Sequence, residues 1–214
     1  MNTVLETLSE TGLVPVVTIE DPYKAVPLAR ALAAGGLPCV EVAFRTAEAS
    51  ESIRRIAAEV PGITVGAGTV LSIALAEKAL DAGAQFVVTP GFNPAVVDWC
   101  LAAGLPIIPG VNNPTGVEAA MEKGLSRLKF FPAEVSGGTG MLKALSGPYP
   151  MISFMPTGGI GQHNLAAYLK LNNVFAVGGS WMVTRELIDR EDWTGITALA
   201  EEAVANVQAL RRKN

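Results

Sequence analysis

The sequence predicts a single α/β domain over residues 1–214, because short apolar runs alternate with helical segments along the whole chain. The alternation repeats at roughly 20–25 residues, the spacing of βαβ units. The runs are continuously apolar, which indicates strands of a parallel sheet covered on both faces. Eight such units in one chain favour a (β/α)₈ barrel, the TIM barrel, here with an extra N-terminal helix.

An open, doubly wound sheet is the alternative fold. It is the weaker prediction because Glu20-Asp21-Pro22 follows the first strand, where a dinucleotide-binding sheet has a G-x-G-x-x-G turn. No linker, low-complexity segment or shift in composition indicates a second domain.

The predicted elements start with a helix over residues 3–12, in which Thr3 and Glu6 have capping-box spacing and Gly12 ends the helix. The predicted strands are, in order, 14–19, 39–44, 64–70, 86–90, 106–111, 128–131, 152–156 and 174–177. Capping residues, three of them followed by proline, indicate helix starts at Asp21-Pro22, Thr46, Asn93-Pro94 and Asn113-Pro114. A long amphipathic helix over residues 193–211 closes the chain.

Composition and charge narrow the classes of function. The net charge is −4, and no basic cluster is longer than residues 211–213, so we expect no nucleic-acid partner. The two cysteines, Cys39 and Cys100, lie in apolar settings and read as buried hydrophobes. With His163 as the one histidine, metal sites built on several histidines are excluded, and we expect neither a metal nor a cofactor. The N-terminus lacks a charged and then apolar leader, and no apolar run has the length of a membrane span, so we expect a cytoplasmic protein without membrane contact.

Lys129 is the lysine, of seven in the chain, that falls where a buried strand is expected. Buried lysines are rare unless they are paired or functional. One interpretation is therefore an amine nucleophile. The other is a lysine at a strand end whose head group reaches water.

Further polar residues lie inside or just after the predicted strands, where active sites of (β/α)₈ barrels collect. Glu41 is embedded in the second strand, and Arg45 follows at its end. Thr69 ends the third strand and Pro90 the fourth. Each has a structural interpretation as well: Glu41 and Arg45 as a buried ion pair, Thr69 as a cap, and Pro90 as the end of a strand.

Glycine pairs follow the last two predicted strands. Gly158-Gly159 comes after the seventh, and Gly178-Gly179-Ser180 after the eighth. Glycines let backbone N–H groups approach an anion closely, and the loops after strands seven and eight form a frequent phosphate site in such barrels. One pair would indicate only a tight turn, whereas two at these positions predict a phosphorylated substrate.

Together these residues predict one reaction. The Lys129 amine would attack a ketone and form a Schiff base, which withdraws electrons during C–C cleavage. Glu41 would transfer protons. Arg45 would hold a substrate carboxylate through its planar fork, with Thr69 as a neutral donor.

The motifs that carry these residues closely resemble those of the class I 2-keto-3-deoxy-6-phosphogluconate (KDPG) and 4-hydroxy-2-oxoglutarate (KHG) aldolases. The matching runs cover essentially the whole chain in order: residues 40–46, 65–70, 88–91, 129–134, 156–160 and 178–181. The resemblance implies cleavage of KDPG to pyruvate and glyceraldehyde 3-phosphate in the Entner–Doudoroff pathway, and cleavage of KHG by some members. It also implies a homotrimer.

Site residues follow from the same resemblance, motif by motif. It implies Lys129 as the Schiff-base lysine and Glu41 as the general acid and base. It implies that the pyruvyl carboxylate is bound by Arg45 and Thr69, and that the pocket is lined by Pro90 and Phe131. The implied ligands of the distal phosphate are Gly158, Gly159, Gly179 and Ser180. The segment 110–114, after the fifth strand, is one that the resemblance implies to vary within the family, which leaves the preference among related substrates open.

Three alternatives remain at this stage. An aldolase for 2-keto-3-deoxy-6-phosphogalactonate would share the lysine mechanism and differ in the configuration at one carbon. A phosphosugar isomerase or transferase would use the glycine loops without needing Lys129 as an amine. A non-catalytic phosphate-binding trimer would keep Glu41, Arg45 and Lys129 only as a charge network.

Overall fold

The computed structural model describes residues 4–211, which form helices and parallel strands in alternation. The α-helices are α1 Val4–Thr11, α2 Ala25–Ala34, α3 Ala49–Glu59, α4 Ile73–Asp81, α5 Pro94–Ala102, α6 Pro114–Glu122, α7 Gly138–Ser146, α8 Leu165–Leu169, α9 Arg185–Asp189 and α10 Trp193–Arg211. The strands are β1 Leu13–Val17, β2 Cys39–Ala43, β3 Thr64–Gly68, β4 Val87–Val88, β5 Ile107–Ile108, β6 Gly110–Val111, β7 Arg127–Phe130, β8 Ser153–Pro156 and β9 Val177–Gly179. Two short 3-10 helices, Pro22–Lys24 and Glu134–Ser136, complete the regular structure of this range.

The strands form two parallel sheets that curl around a shared interior. One sheet has the order β5-β4-β3-β2-β1-β9 and the other the order β6-β7-β8. Side chains from both sheets meet in one buried cluster, to which β2 contributes Cys39 and β8 contributes Met155. The prediction of an α/β domain with a parallel sheet is therefore confirmed, and the sheet is curled.

The fifth predicted strand is divided in the structure. The segment 106–111 forms β5 and β6, with Pro109 between them. Proline has no backbone N–H, so it interrupts the ladder of hydrogen bonds at that position. The eighth predicted strand, 174–177, lies too early, because β9 begins only at Val177, and Val174 makes an isolated bridge to Phe154.

Most helix starts follow their predicted caps. The side chain of Asn93 accepts from Ala95 N, and that of Asn113 from Gly116 N. The side chain of Asp21 accepts from Tyr23 N at the start of the 3-10 helix Pro22–Lys24, and α2 follows it from Ala25 without a side-chain cap. The prediction that Thr46 caps a helix is wrong. Its hydroxyl donates instead to the Ile19 carbonyl of β1's outgoing loop, and α3 begins after Glu48 without a side-chain cap.

Alternate residues of each strand divide the core into two layers. Residues that point outward pack beneath the helices, as Val40 of β2 and Leu128 of β7 do. Residues that point inward form a separate apolar cluster near the amino ends of the strands. Helix α1 covers this end with Leu8, which is fully buried in the inner cluster. Because successive side chains of a strand point to opposite faces, every second strand residue lies in the interior. A polar residue at such a position is unusual.

The leading helix ends as predicted at Gly12, whose φ of 72° is the left-handed conformation that glycine adopts without strain. The proposed capping box cannot be followed there, since Thr3 lies outside the described residues. Within residues 4–211, none of the helices combines the length and the apolar character needed to cross a bilayer.

Candidate active site

Lys129 and Glu41 meet on the inner face of the curled sheet. Lys129 comes from β7 and Glu41 from β2, and Lys129 Nζ lies 3.3 Å from Glu41 Oε1. Both residues are buried, with 5% of Lys129 and 0% of Glu41 exposed. Taking two ionisable groups out of water costs stability unless they are well paired, so stability alone is weak grounds for keeping such a pair. The pair lies inside the sheet, since Glu41 is the third residue of β2 and Lys129 the third residue of β7.

Glycine in the neighbouring strand makes room for the glutamate. A Cβ atom at Gly68 of β3 would lie 2.2 Å from Glu41 Oε1 and 2.8 Å from Glu41 Cδ, so no larger residue fits beside this carboxylate. Glu41 Oε2 is buried and has no hydrogen-bond partner among the described side chains and backbone groups. One oxygen of the carboxylate thus contacts the lysine, and the other keeps its capacity to accept a proton or a hydrogen bond.

Thr69 follows Gly68 directly and has an unusual backbone. Its φ of 57° is in the left-handed region, where a β-branched residue is a genuine outlier. The Gly68 carbonyl is fixed by the backbone N–H of Phe44, at 2.8 Å. Backbone strain of this kind costs about 1–3 kcal/mol and clusters at functional sites. Thr69 is half-buried and directly follows the glycine that packs against the Glu41 carboxylate, although it does not line either cavity described below.

A cavity of about 540 Å³ opens at the carboxyl ends of the strands. It is lined by six of the predicted site residues: Arg45, Phe131, Gly158, Gly159, Gly179 and Ser180. Among the described residues, the Arg45 guanidinium has no ion-pair partner, although it lies in an exposed position. An unpaired cation on a concave wall favours binding of an anion.

The glycine loop after β8 has the geometry of an anion site. Gly158 and Gly159 have φ values of 102° and 77°, so two consecutive residues are in left-handed conformations that other residues adopt poorly. At Gly178, a Cβ atom would lie 2.3 Å from Thr157 Oγ1, so β9 and the residue that follows β8 approach too closely for a side chain. Consecutive glycines in such conformations can point their N–H groups at one anion.

Phe131 connects this cavity with a second one of about 740 Å³. Pro90 lines the second cavity together with Phe131 and the segment 110–113. The Phe131 ring centroid lies 5.2 Å from Lys129 Nζ, so the lysine is adjacent to the aromatic side chain shared by both cavities. Predicted site residues thus line two adjoining cavities, with Pro90 and Phe131 on the side of the segment 110–113. Lys129 and Glu41 line neither cavity, and Lys129 lies beside them through its contact with Phe131.

A partly buried contact that the sequence did not indicate connects the loop after the lysine strand to the glycine loop. The Tyr168 hydroxyl of α8 donates to Glu134 Oε1, and Glu134 N donates to the Gly158 carbonyl at 3.2 Å. Burial of Tyr168, and then its hydrogen bond to Glu134, raise the pKa of the Tyr168 hydroxyl. Glu134 follows a cis peptide bond between Phe131 and Pro132. It thus fixes the loop after β7 against the loop after β8.

Arg185 and Thr18 also line the 540 Å³ cavity and escaped the sequence argument. Arg185 begins α9, immediately after Thr184, whose hydroxyl caps that helix by accepting from Leu187 N. The sequence did contain an indication of Arg185. Thr184 is a capping residue that follows the second glycine pair closely, and a residue at such a helix start lies near the same end of the sheet as the glycines. Within residues 4–211, no three His, Cys, Asp or Glu side chains are grouped as ligands of a metal ion.

The fold and the site define a class of protein. A buried amine beside a carboxylate, at the carboxyl ends of parallel strands and next to a cationic, glycine-lined cavity, suits covalent catalysis on the carbonyl of an anionic substrate. The class is that of enzymes that form a Schiff base with a small anionic ketone.

Comparison with known proteins specifies the family. The family model described as KDPG and KHG aldolase matches residues 4–199. A 2-dehydro-3-deoxy-phosphogluconate aldolase of Treponema pallidum is 50% identical over 204 residues, which cover 95% of this chain and 97% of the relative. This chain belongs to the KDPG and KHG aldolase family.

Two solved structures are similar in sequence and fold. The KDPG aldolase of Legionella pneumophila, with pyruvate captured at low pH as a covalent carbinolamine intermediate, has a TM-score of 0.90 at 37% identity and covers 92% of this chain and 96% of its own. The 2-keto-3-deoxy-6-phosphogluconate aldolase of Zymomonas mobilis ZM4, with 3-phosphoglycerate, has a TM-score of 0.89 at 40% identity and covers 94% and 95%.

Proposed function

We propose that this chain is a class I aldolase that cleaves KDPG to pyruvate and glyceraldehyde 3-phosphate through a Schiff base on Lys129. The observation that carries the proposal is the buried pair of Lys129 Nζ and Glu41 Oε1, 3.3 Å apart at the catalytic end of the sheet. The family assignment supports it, since relatives of this chain are aldolases of this specificity.

The proposed reaction starts with attack of the neutral Lys129 amine on the C2 ketone. The resulting carbinolamine loses water to give an iminium ion, and Glu41 transfers the protons of this step. Glu41 then takes the proton of the C4 hydroxyl while the C3–C4 bond breaks, and the bonding electrons flow into the iminium nitrogen. The released aldehyde is glyceraldehyde 3-phosphate. The enamine left on Lys129 is protonated at C3, and water then releases pyruvate and restores the amine.

The remaining site residues would bind and orient the substrate. Arg45, which has a guanidinium free of ion pairs in the described part of the chain, and Thr69 would hold the carboxylate. Phe131 and Pro90 would form the apolar walls beside the lysine. The distal phosphate would be bound at the glycine-lined end of the 540 Å³ cavity by Gly158, Gly159, Gly179 and Ser180.

The substrate range includes a second candidate. The family model describes aldolases of both KDPG and KHG, so cleavage of KHG to pyruvate and glyoxylate is also proposed. The 2-keto-3-deoxy-6-phosphogalactonate aldolase is the alternative among phosphorylated substrates. Relative turnover of the two epimeric sugar acids decides between them, and the segment 110–113 beside Phe131 is a place where this preference would be set.

We infer further that the two sheets close into a (β/α)₈ barrel with α1 as an extra helix. The support lies at the two seams. β5 and β6 are halves of one segment, and Lys129 N donates to the Pro109 carbonyl between them at 2.9 Å. An isolated bridge between Thr157 and Gly178 joins the ends of β8 and β9. A homotrimer is proposed from the family resemblance, and the cytoplasmic location expected from the sequence remains a proposal.

The test is borohydride reduction in the presence of pyruvate, followed by mass mapping of peptides. We expect a reduced pyruvyl adduct on the peptide that contains Lys129, and none on the peptide that contains Lys143, an exposed lysine in α7. Borohydride without pyruvate serves as the blank. An unmodified Lys129 in protein that still cleaves KDPG would contradict the mechanism. An isomerase or transferase would act on phosphosugars without forming any adduct.

A further inference from the structure

Arg185 lies on the wall of the 540 Å³ cavity, next to the glycine-lined end but outside the motifs that identify the family. It shares the lining with Thr18, Ser180 and Thr184. A neighbouring groove of about 380 Å³ contains Arg185 as well, together with Glu20 and Asp189. The guanidinium thus stands at the boundary between a cavity proposed to hold phosphate and an acidic groove.

Arg185 is the cation of the cavity lining to which no other part of the substrate is assigned. Arg45 and Arg185 are the charged residues in the cavity lining, and both are cations. A phosphate monoester carries nearly two negative charges at pH 7. Arg45 follows β2, the strand of Glu41, and is assigned above to the substrate carboxylate. Arg185 is the remaining cation, and the planar guanidinium fork suits bidentate binding of phosphate.

The present partners of Arg185 hold it only weakly. Its Nη2 lies 2.8 Å from Glu20 Oε2, and its Nε lies 3.3 Å from Asp189 Oδ2. The side chain of Arg185 is 72% exposed, and those of Glu20 and Asp189 are 54% and 58% exposed. Exposed ion pairs contribute little to stability, so an incoming dianion would compete well against both carboxylates.

We propose that Arg185 is a specificity-determining residue that leaves Glu20 and Asp189 to bind the terminal phosphate of the substrate. This inference rests on the proposed function and deepens it. The glycines supply neutral N–H donors, and Arg185 supplies the positive charge. The enzyme would thereby favour phosphorylated sugar acids over KHG, which has no phosphate.

The experiment compares Arg185→Gln with Arg190→Gln. Arg190 also belongs to the α9 region, is exposed and pairs with Glu186, but does not line the cavity. Both variants lose one surface charge, so the control separates a direct contact from the general field of the protein. For Arg185→Gln, we expect the KM for KDPG to rise about 10- to 100-fold, the loss of one charge-assisted contact, with kcat nearly unchanged. Its kcat/KM for KHG, and all constants of Arg190→Gln, should stay within about twofold.

A Glu20→Gln variant tests the exchange in the opposite direction. Removing this competitor should lower the KM for KDPG or leave it unchanged, in contrast to the rise in Arg185→Gln. A rise in both variants would overturn the proposal, because it would mean that the pair acts together as structure. Equal losses on KDPG and KHG in Arg185→Gln, or equal losses in Arg185→Gln and Arg190→Gln, would overturn it as well.

Binding of glycerol 3-phosphate, measured by calorimetry, separates this inference from the proposed function. The wild-type protein should bind this ester more tightly than Arg185→Gln does, by the same 10- to 100-fold, whether or not it cleaves a sugar acid. Wild-type protein that binds the ester but cleaves neither KDPG nor KHG would refute the aldolase activity, and the binding comparison would still decide on Arg185. Equal affinities in the two proteins would overturn the role of Arg185.

Discussion

The two ends of the inner sheet face are built on the same strands and differ in what the inward residues do. Strand β2 contributes Cys39 at the amino end and Glu41 two residues later. Cys39 packs in an apolar cluster under Leu8 of α1, whereas Glu41 contacts Lys129. Both positions are completely buried. The degree of burial therefore does not distinguish a packing residue from a candidate site residue here. What distinguishes them is polarity: the inward residue at the open end is ionisable.

Strand β3 repeats the contrast with glycines. A Cβ atom at Gly66 would lie 2.3 Å from Phe86 Cζ in the apolar cluster, and one at Gly68 would lie 2.2 Å from Glu41 Oε1. One glycine accommodates an aromatic ring, and the other accommodates the Glu41 carboxylate. The amino end of the inner face is thus filled by apolar packing under α1, and the other end places two ionisable groups near a cavity.

The largest expected effect is that of Glu41→Gln at the open end. Glutamine keeps the volume and cannot transfer the proton, so cleavage of KDPG should fall about 10²- to 10⁴-fold, with circular dichroism unchanged. Cys39→Ala, at the closed end of the same strand, is the control and should keep kcat within about twofold while unfolding earlier. Retained cleavage in Glu41→Gln would reduce this residue to a structural partner of Lys129.

A smaller and sharper contrast is expected between Gly68→Ala and Gly66→Ala. The new methyl group at position 68 would displace the Glu41 carboxylate from Lys129, and a shift of about 1 Å at a catalytic group costs on the order of 10²-fold in rate. The methyl group at position 66 would press on Phe86 and destabilise the fold by about 1–3 kcal/mol, with kcat nearly unchanged. Measured by kcat and by thermal unfolding, Gly68→Ala should lose mainly rate, and Gly66→Ala should lose mainly stability. Equal loss of rate in both variants would show that the two ends are not separate.

The smallest effect concerns the thiol at the closed end. Desolvation by burial raises the pKa of Cys39 from 9.0 to about 12. The unfolded chain ionises this thiol near its ordinary pKa while the folded protein does not, so the contribution to stability is complete below pH 9 and is lost as the pH rises towards 12. In a Cys100→Ala background, dithiobisnitrobenzoate at pH 8 should leave native Cys39 unmodified and react with it fully in guanidinium. Rapid labelling of the native protein would mean that the closed end opens.

The sequence predicted the parts of this site that lie within single strands. Lys129 and Glu41 stood out because each is ionisable within an apolar run, and the structure places both inward and in contact. The glycine loops were recognisable by position, since the ends of parallel strands meet at one edge. The same reasoning gave the proline-associated caps, whose hydrogen bonds are local.

What escaped prediction depends on contacts between distant segments. The room that Gly68 leaves for Glu41 and the bond of Tyr168 to Glu134 join residues that no local pattern relates. Thr46 has the composition of a cap but finds a better acceptor in the Ile19 carbonyl, because the neighbouring strand end lies within reach. Pro109 lacks a backbone N–H, which the sequence shows. Whether that absence divides the strand depends on the neighbouring strand that would accept a hydrogen bond there, which the sequence does not show.

The close fit of Gly68 against Glu41 has an entropic consequence for turnover. A free glutamate side chain loses up to about 2 kcal/mol of rotamer freedom when it is ordered. Between the Gly68 backbone and Lys129 this freedom is already lost when the chain folds. The ordering is therefore completed once per protein molecule, at synthesis, and does not recur in the activation barrier of each catalytic cycle.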